Sequence, residues 1–562
     1  MTDRAAQRSP EAVSQAPLDA ADGTTTETIA DPAGESVART PGSSLIRSSM
    51  VNSSLTLVSR FMGFLRDLAI SYRMGASATP AADAFYTALA FPNLFRRIFG
   101  EGAFAAAFQP AYVRTLEQEG KEKADKLAEE AMAGLALITI LLTVACQLSM
   151  HWLMFVINPG YTGDPTKFDL AVWLTVITMP YLPCMAIYAH LSGVLNSHGR
   201  FVVSGIAPAL LNVVMLAFVL PQKDPVWAAY SASAGVVVAG LAQMGLLWWG
   251  VRKSGSHVRW VWPTLNPEIR ALIAKAVPGA LSASAFQVNI FISGILASQI
   301  AGARSWLNAA DRLYQLPVGL VGVAIGVALL PRLSRAVHTG DEADARGAMD
   351  EAITFAMAFT LPAAAAMVAM PFFLIDGLYT RGAFLAYDAQ ATGAVLFQYG
   401  WGAPAFVLMQ IVNRAFYARQ DTKTPMRVAL IQVAVNVGLG LLLFRLIGAP
   451  GIAAATSAAS WLSVVQMIAI LRRRGHYAIS SRAVSRLLRV LAASVLLGVI
   501  LALASHWLQA HPAPRLHFGP IHFKELALTT VAGLSLPLYG ALLFASGGVT
   551  PRELRAVLRR RR

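Results

Sequence analysis

Long apolar runs follow one another along most of this chain, and they constrain its fold more than any other feature. Each run has about 20–30 residues, the length that an α-helix needs to cross the ~30 Å hydrocarbon core of a bilayer. The runs lie at about residues 46–74, 82–113, 128–157, 168–196, 201–220, 226–251, 269–300, 304–332, 348–378, 387–417, 424–446, 449–471, 483–508 and 522–546. The predicted fold class is therefore an all-α polytopic membrane protein with about fourteen transmembrane helices.

The composition supports this class. Hydrophobic residues make up 56% of the chain and charged residues only 14%, which excludes a soluble multidomain protein. The net charge of +15 does not indicate a nucleic-acid partner, because the bases lie in short loops and in the tail Arg559–Arg562. Alternate loops hold most of these bases, so both termini are predicted to be cytoplasmic. The segment Arg114–Glu130 alternates acids and lysines, which predicts a solvated helix at the membrane surface.

Cysteine and histidine give no sign of a disulfide or a metal site. Cys146 and Cys184 lie inside apolar runs, where they are predicted to be small core residues. Four histidines surround the loop between the last two runs, but they lack the spacing of metal ligands on one helix face. They are His506, His511, His517 and His522. No metal and no cofactor is expected.

An internal repeat organises the apolar runs. The stretch Phe108–Arg114 and the charged segment after it are echoed about 221 residues later by Leu329–Arg335. Asn212 and Asn436 also correspond, and both are predicted to form interhelical hydrogen bonds. Six runs thus map onto the next six in the same orientation, as in transporters built from parallel repeats. The predicted parts are a disordered tail (1–44), an N-terminal lobe (45–252), a C-terminal lobe (253–475), an added helix pair (476–548) and a basic cytoplasmic tail (549–562).

Charged side chains lie inside the first, second and eighth runs. A charge at bilayer depth costs about 2.5–3.5 kcal/mol, so such residues face a water-filled cavity, pair with each other or bind a ligand. The residues are Arg60, Arg66, Arg96, Arg97 and Arg312, with Asp67, Asp83, Glu101 and Asp311. Because guanidinium groups bind phosphate oxygens bidentately, converging arginines predict a site for pyrophosphate or another polyanion. In the alternative, each arginine only locks helices together through a local acid: Arg66 with Asp67 or Asp83, and Arg312 with Asp311.

These charges belong to longer motifs. The motifs are Ser59-Arg60-x-x-Gly63-Phe-x-Arg66-Asp67, Ala82-Asp83-Ala84-Phe85, Pro92-Asn93-Leu94-x-Arg96-Arg97-x-x-x-Glu101-Gly102-Ala103-Phe104, Ala310-Asp311-Arg312-Leu313 and Asp421-Thr422-Lys423-Thr424-Pro425. Over about residues 46–545 the chain resembles the MurJ/MviN lipid II flippases of the MOP exporter superfamily. The resemblance implies two six-helix lobes, a C-terminal helix pair that forms a lipid groove, and transport of undecaprenyl-pyrophosphate-linked peptidoglycan precursor to the periplasmic leaflet of the inner membrane.

The resemblance also implies roles for individual residues. Substrate binding is expected at Ser59, Arg60, Arg66, Arg96 and Arg312, with Asp83 as an essential acid and Asp67, Glu101 and Asp311 as further structural or coupling acids. The chain departs from the family at Gln315, where many members carry a glutamate. This departure puts in doubt any coupling scheme that needs a charge there.

Other functions remain open from the residues alone. Within the superfamily, the chain is an alternative candidate for export of another polyprenyl-linked glycan or of drugs. An enzyme acting on polyprenyl phosphates would need carboxylates near one interface, and Asp83 and Glu101 are the candidates. A structural scaffold for division complexes is a third class. The expected partners are lipid II and the membrane, with cell-wall synthesis or division proteins as further candidates, and the energy source is left open between membrane potential, protons and Na⁺.

Overall fold

The structure is a computed structural model that describes residues 41–99, 103–511 and 523–547. The chain divides into a short unit, Met1–Ser49, and a large unit, Met50–Arg562, and every contact discussed below lies within the large unit. The described residues form eighteen α-helices and one short 3-10 helix, Pro159–Gly163. The α-helices are α1 Pro41–Met74, α2 Ala81–Phe99, α3 Ala103–Gln118, α4 Lys121–Leu148, α5 Met150–Ile157, α6 Pro165–Thr178, α7 Tyr181–Ser197, α8 Phe201–Val219, α9 Pro225–Lys253, α10 Pro267–Ser298, α11 Ala303–His338, α12 Glu342–Ala369, α13 Pro371–Tyr379, α14 Ala386–Tyr417, α15 Lys423–Ile447, α16 Ala449–Arg473, α17 Ser481–Ala510 and α18 Phe523–Ala545.

The predicted all-α membrane class is confirmed. Within the described part of the chain, ten segments are long and apolar enough to cross a bilayer. The count of fourteen stays a prediction.

Four of the predicted runs are each divided between two helices. The second run becomes α2 and α3, the third breaks at Ser149 into α4 and α5, the fourth becomes α6 and α7, and the ninth breaks at Met370 into α12 and α13. Pro371 begins α13, as expected for a residue without an N–H, which is tolerated at a helix start and breaks the ladder elsewhere. The breaks at Ser149 and Met370 are separated by the offset predicted for the repeat, so they occupy equivalent places in it.

The helix starts follow the same offset. Lys121 begins α4 and Glu342 begins α12, while Pro165 begins α6 and Ala386 begins α14, and the same spacing separates the members of each pair. The helices α10–α16 thus repeat α1–α9, with α11 in the place of α2 and α3 and α14 in the place of α6 and α7. We call α1–α9 the first half and α10–α16 the second half.

A second feature is common to both halves. In each half, side chains of one helix bind the segment that follows the last helix of that half, and we call this set of contacts the clamp. In the first half, side chains one turn apart on α4 bind alternate residues of the segment after α9. The contacts join Lys121 to the Gly255 carbonyl, the His257 N–H to Asp125 (3.0 Å) and the Arg259 N–H to Glu129 (2.8 Å). The side chains on α4 and the alternate residues of the segment are similarly spaced, because a helical turn rises about 5.4 Å and two extended residues span about 6.6 Å. The prediction of a solvated surface helix over Arg114–Glu130 was therefore only partly correct.

The second half repeats this clamp after α16. Arg346 of α12 donates to the Gly475 carbonyl (2.8 Å), and Asp350 accepts from the Tyr477 hydroxyl (2.7 Å) and the Ser480 N–H (3.4 Å). The clamping positions on α4 and α12 match at the offset of the repeat. The repeat therefore extends from the helices to the contacts that hold their connections.

The last two helices pack on the second half. Gly498 of α17 lies against Ala365 of α12, where an added Cβ would be 3.3 Å from the Ala365 Cβ. The Tyr539 hydroxyl of α18 donates to the Ala358 carbonyl of α12 at 2.7 Å. Leu528 of α18 also packs closely on α13. The helix pair predicted as an appendage is thus anchored mainly to α12 and α13.

Candidate functional site

Asp67 is the centre of a charged cluster that joins the two halves. Its carboxylate is fully buried in α1 and accepts from Arg66 Nε (3.0 Å) and NH2 (2.7 Å) through one oxygen. Its other oxygen lies 2.5 Å from Nε of Arg312 in α11, as an ion pair without hydrogen-bond alignment. One acid of the first half therefore pairs with an arginine from each half, which leaves the three side chains with a net charge of +1.

Arg66 is held on its other side by Asn212 of α8. Arg66 NH1 donates to the Asn212 Oδ1 at 3.0 Å, and the Asn212 amide donates to the Ser59 carbonyl at 3.1 Å. The Arg66 side chain is only 7% exposed. Sequence reasoning placed Arg66 among the substrate ligands, and in this conformation it is enclosed by protein partners. The interhelical hydrogen bond predicted for Asn212 is confirmed, as is that of Asn436, whose amide donates to Asn289 at 2.6 Å.

Arg60 and Arg312 are the accessible arginines among the described residues of the cluster. Arg60 is exposed, and the Arg312 side chain is 35% exposed although its partner Asp67 is buried. The Arg60 guanidinium lies against Gly319 of α11, where an added Cβ would be 1.5 Å from NH1. Gly319 is seven residues beyond Arg312, which puts both on one face of α11 about 10 Å apart along its axis. The two arginines therefore line the same side of α11.

The acid next to Arg312 in sequence has a hydrogen-bond partner other than the arginine that the alternative reading gave it. Asp311 accepts a hydrogen bond from the amide of Gln315, one turn further along α11. Arg312 forms its ion pair with Asp67 instead. A glutamate at position 315 would place two like charges at i and i+4, which is destabilising on a helix. The neutral Gln315 side chain therefore avoids charge repulsion with Asp311 and donates a hydrogen bond to it.

Asp83 forms a latch between the halves, which we call the Asp83 latch. It is fully buried at the start of α2. Its carboxylate accepts from Lys167 Nζ (2.7 Å), the Gly302 N–H (2.8 Å), the Ser305 N–H (3.0 Å) and the Ser305 hydroxyl (2.8 Å). The first N–H groups of a helix lack partners within it, and Gly302 provides no side-chain cap for α11. Asp83 therefore caps α11 from the other half, and its negative charge suits the helix dipole.

The alternative reading paired Arg66 with Asp67 or Asp83, and Arg66 pairs with Asp67. The cation on Asp83 is Lys167, at the start of α6. No local spacing reveals this pair, because the two residues are 84 positions apart.

Asp388 forms a second latch at the same end of the molecule, which we call the Asp388 latch. It lies in the first turn of α14 and accepts from the Ser77 N–H (3.1 Å), the Ser77 hydroxyl (2.5 Å) and the Trp306 indole N–H (3.0 Å). Ser77 belongs to the turn between α1 and α2, so this latch also joins the halves. Lys167 and Asp388 are separated by the offset of the repeat and thus occupy equivalent places in it. Sequence reasoning missed the Asp388 latch, although the repeat offset was the signal that could have found it.

A backbone contact adds to the two latches. The Ala383 N–H donates to the Tyr72 carbonyl at 2.9 Å. Gly382 has a φ of 62°, and an added Cβ there would be 2.2 Å from the Tyr72 carbonyl oxygen. Only glycine fits this close approach at a positive φ. Both halves therefore meet closely where α1 ends and α2, α11 and α14 begin.

The remaining predicted residues lie elsewhere. Arg96 and Arg97 belong to α2, but their side chains fall outside the described residues, as does Glu101. Asp421 accepts from the Thr424 N–H (3.0 Å) and hydroxyl (2.6 Å) and from Arg474 (2.7 Å). The Thr424 hydroxyl, with Arg474, holds the pKa of Asp421 well below its usual value. The Asp421–Pro425 motif therefore stabilises the start of α15.

No group of His, Cys, Asp and Glu that could hold a metal ion occurs among the described residues, a range that leaves out His517 and His522. Cys146 and Cys184 are buried free thiols. The described cluster is therefore a set of arginines, carboxylates and amides. Its chemistry is that of ion pairing and anion binding.

Known proteins are similar to this chain in sequence over most of its length. The family model described as "Lipid II flippase MurJ" matches residues 70–518. A "Probable lipid II flippase MurJ" of Rhizobium tropici is 38% identical over 529 residues, which cover 92% of this chain and 97% of that protein. The "Lipid II flippase MurJ" of Burkholderia cenocepacia is 32% identical over 442 residues, 77% of this chain and 85% of that protein.

Solved structures show the fold. The chain matches "Lipid II flippase MurJ, inward closed conformation" with a TM-score of 0.72 at 21% identity, over 88% of this chain and 98% of that one. A multidrug resistance MATE family transporter of the MOP superfamily, in an inward-facing conformation, matches with a TM-score of 0.60 at 12% identity, over 76% of this chain and 98% of that one. The resemblance inferred from the sequence motifs is confirmed, and this chain belongs to the lipid II flippase MurJ family.

Proposed function

We propose that this protein moves lipid II from the inner to the outer leaflet of the cytoplasmic membrane by alternating access between its two halves. The family membership supports the substrate, since the relatives are named as lipid II flippases. The observation that carries the proposal is the cluster of Arg66, Asp67 and Arg312, which joins α1 to α11 across the halves. Flipping makes and breaks no covalent bond, so the acids have no catalytic role here.

The cluster can exchange one anion for another. Arg312 pairs with Asp67 and is partly exposed, and Arg60 presents a second guanidinium on the same side of α11. A pyrophosphate offers more acceptor oxygens than one carboxylate and suits the planar guanidinium fork. It competes with Asp67 for Arg312, while Asn212 keeps Arg66 in place. Ser59 and Arg96 complete the proposed substrate-binding set.

This exchange couples substrate to conformation. The Asp67–Arg312 ion pair links the halves, and a pyrophosphate bound to Arg312 replaces that link. Substrate then shifts the balance of conformations by its different affinity for each of them. The proposed moving bodies are residues 45–252 and 253–475, with the helix pair 476–548 as a lipid groove.

The orientation follows from the basic loops. Alternate loops with most of the Lys and Arg lie in the cytoplasm under the positive-inside rule, together with both termini. The Asp83 and Asp388 latches then lie on the periplasmic side. The described conformation is, under this proposal, closed to the periplasm.

The test is complementation of a strain depleted of its own flippase, with lipid II measured in the outer leaflet. Alanine at Arg60 or Arg312 should abolish translocation at normal membrane levels, and lysine at Arg312 should restore little, because a point charge lacks the bidentate fork. Arg445→Ala, an exposed arginine at the end of α15, is the matched control and should translocate normally. Normal translocation by both alanine variants would refute the arginine site. Accumulation of a different polyprenyl-linked glycan on depletion would refute the substrate.

A further inference from the structure

Asn308 of α11 carries a buried hydrogen-bond donor that its surroundings do not use. The residue is half-buried, and its Nδ2 atom is enclosed but lies outside hydrogen-bond geometry with every group in the described part of the chain. Buried polar atoms of folded proteins are nearly always paired, because an unpaired one has lost its hydrogen bonds to water without replacement. The Asn308 amide is therefore available to an acceptor that reaches it in another conformation.

Asn308 lies on the face of α11 that is turned toward the first half. Ser305, three residues before it, donates to Asp83, and Arg312, four residues after it, pairs with Asp67. Residues three and four apart are neighbours on a helix, with about 5–6 Å between their Cβ atoms. The Asp83 carboxylate already accepts four hydrogen bonds. Of the two acids that this face meets, Asp67 is thus the one that can accept from Asn308.

The Asp67 carboxylate has an unused acceptor beside this unused donor. Its Oδ1 accepts from Arg66, whereas its Oδ2 is buried and has no hydrogen bond among the described residues, because the nearby Arg312 Nε is not aligned for one. Tyr86 of α2 interacts both with the Asn308 side chain and with the charge of Asp67. The amide and the carboxylate therefore border the same buried region between the halves.

We propose that Asn308 is a positioning residue that holds Asp67 once the substrate has taken Arg312. This inference rests on the proposed function, in which a pyrophosphate competes with Asp67 for Arg312. The Asp67 Oδ2 then loses its cation, and a buried carboxylate oxygen without a donor is unfavourable. Asn308 is one turn before Arg312 on the same face, so its Nδ2 donates to Oδ2 when the guanidinium moves away. The acid exchanges a charged partner on α11 for a neutral one, which lowers the free energy needed to release Arg312.

The test measures binding of undecaprenyl pyrophosphate to the purified full-length protein, together with the melting temperature of the ligand-free protein. Asn308→Leu keeps the size of the side chain and removes the donor. It should bind the pyrophosphate about tenfold more weakly, the effect of one hydrogen bond to a charged group. Its ligand-free melting temperature should equal that of the wild type or exceed it, because the unpaired buried amide is gone. Asn308→Gln retains an amide and should bind more tightly than Asn308→Leu.

A double-mutant cycle identifies the acceptor. Asp67→Asn keeps the shape of the side chain and removes its charge, so no carboxylate remains for Asn308 to hold. In that background Asn308→Leu should change the affinity by less than about twofold, the range expected for uncoupled sites. Asn196→Leu is the matched control and should bind like the wild type. Its amide, near the end of α7, accepts from the Ser204 hydroxyl at 2.9 Å and belongs to neither the cluster nor the latches.

Three results would overturn the proposal: unchanged affinity in Asn308→Leu, a lower melting temperature of its ligand-free form, or the same tenfold loss in the Asp67→Asn background. A lower melting temperature would mean that Asn308 only supports the fold. Arg312→Ala separates these outcomes from a failure of the proposed function. If Arg312→Ala binds the pyrophosphate as tightly as the wild type, the arginine site itself is wrong. If Arg312→Ala loses affinity and Asn308→Leu does not, the arginine site stands and only the role of Asn308 is refuted.

Discussion

Removal of one hydroxyl from the Asp83 latch is expected to open the molecule at that end. The Ser305 hydroxyl donates to Asp83 at 2.8 Å and is buried. In Ser305→Ala the backbone N–H of residue 305 and the Gly302 N–H still reach Asp83, and Lys167 keeps its partner. The substitution therefore weakens a contact between the halves without leaving a buried charge alone. Asp83→Ala is a poorer probe, because unpairing the buried Lys167 costs about 3–5 kcal/mol and threatens folding.

The size of the effect follows from the type of hydrogen bond. A bond to a charged group contributes about 1.5–3 kcal/mol net. Each 1.4 kcal/mol is a tenfold change in an equilibrium constant, so the open population should rise about 10- to 150-fold relative to the closed one. A rise of this size turns an open state of about 1% into a readily detected one.

Distances between two spin labels measure this population. Thr162 and Gln390 are exposed residues of the first and second half near the latches, and both can carry a label in a Cys146→Ser, Cys184→Ser background. Ser305→Ala should add a longer distance to the distribution. Ser463→Ala is the control, because that buried hydroxyl bonds only to the Ala459 carbonyl of its own helix. An unchanged distribution in Ser305→Ala, with the protein folded, would refute the assignment of Asp83 as a latch.

Three further variants test other parts of the structure. Gly319→Val should displace the Arg60 guanidinium and abolish lipid II translocation while the protein still folds, which a translocation assay and a melting curve report together. Asp350→Asn should lower the melting temperature by a few degrees, since its bonds to Tyr477 and Ser480 hold the segment after α16, and an equal melting temperature would contradict the clamp. Because the pKa of Asp421 is lowered in the folded protein, its ionised form adds stability above the usual aspartate pKa of about 3.9 that is lost as pH falls below it. Asp421→Asn should thus be less stable than the wild type at pH 6, with the gap narrowing toward pH 3.

The sequence predicted those features that depend on local patterns. Apolar runs predicted the helices, because a run long enough to cross a bilayer is visible in one segment of the chain. The repeat offset predicted the matching starts of α4 and α12. Arginines inside apolar runs identified α1 and α11 as the helices that meet in the charged cluster, because charge at that depth needs a partner.

The partners themselves could not be predicted from spacing. Asp67 binds Arg312 of the other half, and Asp83 binds Lys167 and the N-terminus of α11, all through contacts that only the packed helices create. Sequence neighbours misled here, since Asp311 is adjacent to Arg312 but accepts from Gln315. Long-range pairing depends on which helix faces meet, and one sequence does not contain that information in any local window.

The pairing of Asp83 with Lys167 also explains how the latch can open. It yields a last prediction, for a substitution that should lower the open population that Ser305→Ala raises. Lys167 and Asp83 both belong to the first half, so separation of the halves breaks the bonds from Gly302 and Ser305 but leaves no charge unpaired. Lys167→Met removes that internal partner, and Asp83 then depends on the N-terminus of α11 for all its donors. The open state loses more stability than the closed state, because only in the closed state do three hydrogen-bond donors still reach the carboxylate. The same labels should therefore show less of the long distance in Lys167→Met and more in Ser305→Ala. A shift of both variants in the same direction would mean that Asp83 supports the fold as a whole and does not govern the separation of the halves.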